Sequence, residues 1–89
     1  MVLATEPTGL VPPLSPKLDL LIRLGALLAL GAATTSLRAT VDRALKAGAT
    51  ESEIADVLVA IAPALGGARV VSTAPRLAIA LGYELDADE

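Results

Sequence analysis

Apolar residues recur at helical spacing in every stretch between four glycine stops, Gly31, Gly48, Gly66-Gly67 and Gly82. No stretch sustains the apolar-polar alternation of a strand, and the valine-rich runs at 57–59 and 70–71 sit inside windows of helical period. The pattern predicts an all-α fold of four helices, with short links that make consecutive helices antiparallel neighbours. Ser15-Pro16 reads as an N-cap followed by proline at the first helical position, so helix one should run to Leu30 and stop at Gly31. Helix two runs from Thr34 or Thr35 to Ala47, with Leu37, Val41, Ala44, Leu45 and Gly48 on one stripe. Thr50-Glu51-Ser52-Glu53 is a capping box that opens helix three, whose stripe is Ile54, Val57, Leu58, Ile61 and Leu65, widened by Val59 and Ala60. Pro63 should loosen its last turn. Helix four spans Ala68 to Leu81 with Val70, Val71, Ala74, Leu77, Ala78 and Leu81 inward. Pro75 should kink it, the alternative being a fresh start capped by Thr73.

Around this helical region, 15–82, lie a proline-rich arm at 1–14, expected to be extended, and an acidic tail at 83–89. The 89 residues are 54% hydrophobic, yet Tyr83 is the sole aromatic and there is no cysteine. A core of Leu, Ile, Val and Ala in so short a chain buries little area per residue and has no staple. The surplus apolar surface is expected to be buried between copies, so the partner is the chain itself, as a dimer, trimer or hexamer.

A net charge of −3 with scattered arginines argues against nucleic acid as a partner. Leu24 to Leu37 is the longest uncharged run after the arm and is too short and too polar to span a bilayer, so no membrane partner is expected. The start lacks a signal-peptide pattern, and the absence of cysteine fits a cytoplasmic location. With neither Cys nor His, no metal site and no cofactor are expected, and the carboxylates show no convergent spacing. Arg38 and Asp42, four apart, read as a surface ion pair worth about 0.3–0.5 kcal/mol. Ser36 and Thr40 have the same spacing and read as helix-start hydroxyls. Arg69 and Arg76 share one face of helix four, either as solvated charge or an inter-subunit pair, or as a clamp for a carboxylate ligand.

The run "RALKAGATESEIADVLVAIAPALGGARVV" (43–71), preceded by "SPKLDLLIRLGALLALG" (15–31), resembles the carboxymuconolactone decarboxylase family, which includes alkylhydroperoxidase D-like proteins. The resemblance covers Leu14 to Gly82. It implies a helical subunit that assembles into dimers, trimers or hexamers, with small pockets near subunit contacts. Peroxidase-type members carry a Glu on helix one, a Cys-x-x-Cys and a later His. Counting back from Gly48 places the His position on Thr40 and the Cys positions on Ala33 and Ser36. Counting forward from Ser15 places the Cys positions on Ala32 and Thr35 and the Glu position on Leu20. Under either count no thiol and no His is present, so thiol peroxidase chemistry is excluded.

The expected function is therefore structural, or the binding of a small apolar or carboxylated ligand at a subunit interface, with Ser36, Arg38, Thr40 and Arg69 as ligand contacts and no catalytic residue assigned. One alternative is a lyase or isomerase using Arg, Thr and a carboxylate. Another is a scaffold that recruits a partner through the proline arm.

Overall fold

A computed structural model describes residues 14–83. Residues 1–13 of the arm and the tail beyond Tyr83 lie outside the described residues. The chain forms α1 (Pro16–Leu30), α2 (Thr34–Lys46), α3 (Glu51–Leu65) and α4 (Gly67–Ala80), and no strand occurs among the described residues. The class read from the glycine-bounded periodicity is the class observed.

The ends form where local chemistry favours them. The Ser15 hydroxyl accepts the Leu18 amide at 3.2 Å, and Pro16 occupies the first turn. The Thr50 hydroxyl accepts the Glu53 amide at 3.0 Å while the Thr50 amide donates to Glu53 Oε1 at 2.9 Å, completing the capping box. α1, α2 and α4 close with the two bonds of a Schellman motif, for example Ala32 N–H to the Leu27 carbonyl and Gly31 N–H to that of Leu28. Gly66 is different. It alone joins α3 to α4, at φ 87° and ψ 155°, a region that side-chain-bearing residues avoid. The expected two-residue Gly66-Gly67 link is thus one residue, because Gly67 already begins α4.

Both internal prolines are accommodated. α3 continues two residues past Pro63, and α4 runs unbroken through Pro75, so Thr73 does not cap a new helix but faces the core. Proline deprives the carbonyl four residues earlier of its donor. Here those carbonyls belong to Val59 and Val71, which are 68% and 74% exposed, so water can replace the lost bond.

α1 packs principally on α2 and α3, and α4 on the same two helices. Lys17 Nζ pairs with Glu53 Oε2 at 3.1 Å, so α1 and α3 run side by side with their N-termini together. Tyr83, just past α4, donates its hydroxyl to Glu51 Oε1 at 2.8 Å, so α4 returns antiparallel to α3. The core combines Leu20, Leu24 and Leu28 of α1, Leu37, Val41 and Ala44 of α2, Ile54 of α3, and Leu77 and Ala80 of α4. α3 is the outlier. Of its expected stripe only Ile54 is buried, whereas Val57, Leu58, Ile61 and Leu65 are half-covered. Val71, expected inward on α4, faces out, as does Leu45 on α2.

Candidate functional site

The half-covered face of α3 and the adjoining face of α1 enclose an open groove of about 760 Å³. Its origin is a close approach. Gly25 is buried, and a Cβ placed there would lie 3.3 Å from Val57 Cγ1 and 3.7 Å from Ile61 Cγ2. The two helices can therefore pack closely at Gly25. Leu18, Leu21, Ile22, Ala26 and Ala29 line the α1 side; Val57, Ala60, Ile61, Ala64 and Leu65 line the α3 side. Almost no polar atom is offered along this length.

Charge is confined to the two ends. At the N-terminal end stand Glu53 and Asp56. Glu53 is committed: its carboxylate accepts the Thr50 amide and lies against Lys17, and these, the backbone bond first, hold its pKa below the ordinary 4.5. Asp56 has no ion-pair partner among the described residues. At the opposite end stands Arg69, the one cation in the lining. Its Nη2 donates to the Ala29 carbonyl in the last turn of α1. Arg76, about two turns further along α4 on the same face, donates Nη2 to the carbonyls of Gly31, at 3.2 Å, and Ala32. The last turn of α1 holds no basic residue of its own, so α4 supplies the positive charge that a helix C-terminus favours.

The residues singled out from sequence fall in two places. Arg69 lines the groove. Ser36, Arg38 and Thr40 are on α2, outside its lining, with Ser36 and Arg38 exposed and Thr40 half-buried. Arg38 makes no ion pair with Asp42; its Nη2 donates to the Ile79 carbonyl at 3.1 Å, at the C-terminal end of α4. That replaces the surface pair expected from the spacing, because the end of a neighbouring helix is within reach. The Ser36 and Thr40 hydroxyls make no hydrogen bond among the described residues. Periodicity could not distinguish the groove-lining residues Val57, Ala60, Ile61 and Ala64 from core. The available signal was the unusual width of the α3 stripe, Val59 and Ala60 included.

No group of three or more His, Cys, Asp or Glu that could hold a metal ion occurs among the described residues. No described helix is long and apolar enough to cross a membrane.

The architecture is that of a small, thiol-free helical domain with one apolar face open among the described residues. The family model of the carboxymuconolactone decarboxylase family matches residues 5–79, and the chain belongs to that family, as a member with no Cys and no His. No curated protein and no solved structure matched the chain.

Proposed function

We propose that this protein is a homo-oligomeric, cytoplasmic family member that binds a small apolar molecule carrying a carboxylate, and that it has no thiol chemistry. The apolar part lies between α1 and α3, and the carboxylate sits at Arg69. The reading rests above all on the groove itself: about 760 Å³ of almost wholly apolar lining with a single cation at one end. That combination of apolar walls and one orienting charge is the usual build of a small-molecule site. Arg69 uses Nη2 on Ala29 and keeps further guanidinium donors for an anion. The acidic end at Asp56 would repel a carboxylate, so the ligand has one preferred direction. The cytoplasmic assignment is supported by a chain without cysteine.

The test is a fluorescence titration of the full chain with dansyl-undecanoate, together with native mass measurement of the purified protein. Saturable binding is expected, displaced by decanoate more effectively than by decanol. Arg69→Ala should narrow the difference between the two competitors. Absence of saturable binding, or equal displacement by acid and alcohol in the native protein, would end this reading.

A further inference from the structure

The open groove has a directional charge pattern, and that pattern selects a particular occupant. Ile22 is 54% exposed on its rim, Ala26 and Ala60 are exposed, and only Ile54 of α3 is fully covered. An apolar face of this kind on an 89-residue chain without a disulfide calls for a cover. Two copies can meet face to face about a two-fold axis only if the axis lies in the plane between them. It then runs either along the helices or across them. Along the helices, acidic end meets acidic end and Arg69 meets its own copy. Across the helices, each acidic end meets the partner's basic end. The second arrangement replaces two repulsions by two attractions and sets the register.

We propose that a second copy of this chain closes the groove, with α1 and α3 of the two protomers antiparallel and Asp56 of each facing Arg69 of the partner subunit. The inference rests on the self-association in the reading above and not on its ligand: Asp56 of the partner subunit and the ligand's carboxylate are alternative occupants of Arg69, so the two compete there. Gly25 lies opposite Val57 and Ile61, so the helices stand in fixed register. Asp56 is therefore level with the Leu21-Ile22 turn, and Arg69 with the end of α1 at Ala29. The midpoint falls near Ala26 and Ala60, two small exposed residues, and the axis passes there. Small side chains at the axis let the two faces approach. The larger Ile22, Val57 and Leu65 then enclose the remaining space, which becomes a shared chamber rather than an open trough.

The natural absence of thiols makes the test direct. In the full chain, Ala60→Cys and Ala26→Cys are each oxidised at micromolar concentration and run on a non-reducing gel, with Asp42→Cys on α2 as the control. Covalent dimer is expected from the first two and not from the third. In sedimentation, Asp56→Arg is expected to weaken self-association by about tenfold or more. Asp56→Arg combined with Arg69→Asp should recover most of it, helical content being checked by circular dichroism. A dimer that crosslinks through Asp42→Cys but not through Ala60→Cys or Ala26→Cys would overturn this interface and leave self-association standing. A chain that remains monomeric at every concentration would overturn both. A monomer whose Ala60→Cys thiol resists a maleimide would place another occupant in the groove, such as residues 1–13 of the same chain, and would also overturn the proposal.

Discussion

Arg38, Arg69 and Arg76 are far apart in sequence, yet each directs a guanidinium at the C-terminal end of another helix: Arg38 at α4, and Arg69 and Arg76 at α1. Neither receiving helix has a basic residue in its last turn. The last carbonyls of a helix lack intrahelical donors, and the macrodipole leaves them negative, so a cation from a neighbour meets both needs. Arg76 is the best placed, because it reaches two carbonyls from a half-buried position. Arg76→Ala is expected to destabilise the fold by about 1.5–3 kcal/mol, the range for hydrogen bonds to charged groups, read as a lower midpoint in urea denaturation. Arg38, more exposed, should cost less. At Gly25 the issue is space. Gly25→Val would push a branched side chain against Val57 and cost about 1–3 kcal/mol in the same assay, although valine is the better helix former. None of these roles was legible in sequence. The spacing of Arg38 and Asp42 gave a local partner, and the true partner is a backbone carbonyl 41 residues away.

At the scale of elements, sequence was informative where the determinants are local. The Ser15 cap, the Thr50–Glu53 capping box and the Schellman closures all involve residues within one turn, so their signals lie within a few positions of each other. Thr50→Ala is expected to cost about 1 kcal/mol by removing the acceptor for the Glu53 amide, measured by thermal or denaturant unfolding. The Glu53 carboxylate adds a pH dependence. Its folded-state pKa is depressed below 4.5, so the folded state favours the ionised form. The stability it contributes is present above that value and is lost as pH falls through the lower folded pKa. Glu53→Gln should therefore flatten the acid limb of a stability–pH curve, with an unchanged limb counting against the assignment. Burial was less legible. The α3 stripe looks like core because its period is that of a core helix, but period says only which residues share a face. Whether that face is covered depends on how α1 and α4 are placed, and α3 is covered fully only at Ile54. The two prolines were legible only in part for a related reason: the sequence marks the lost hydrogen bond, and at Pro75 leaves a fresh start at Thr73 open, but it does not show the exposure of Val59 and Val71, which makes the loss tolerable within unbroken helices.

For the whole molecule, the deciding quantity is how much apolar surface one chain can cover by itself. The composition led to the expectation of surplus apolar surface, and the α1–α3 groove is an open apolar face among the described residues. The groove itself could not be read from the chain, since it arises from two helices that are not consecutive and that pack closely at Gly25. If self-association stabilises the fold, the melting temperature should rise with protein concentration, as mass action requires of any partner that binds only the folded state. A midpoint independent of concentration across a hundredfold dilution, with the protein folded throughout, would show that the subunit stands alone.

The single residue between α3 and α4 has a further effect. With only Gly66 as connector, the rotational phase of α4 is fixed to that of α3. One inserted residue would turn all of α4 by about 100°. Arg69 would swing off the groove and away from Ala29, and Thr73 and Leu77 would leave the interior together. The links at 31–33 and 47–50 are longer and can absorb an extra residue locally. Length variation in chains built on this plan should therefore collect at those two links and spare position 66, making this glycine the point at which the molecule tolerates no change of count.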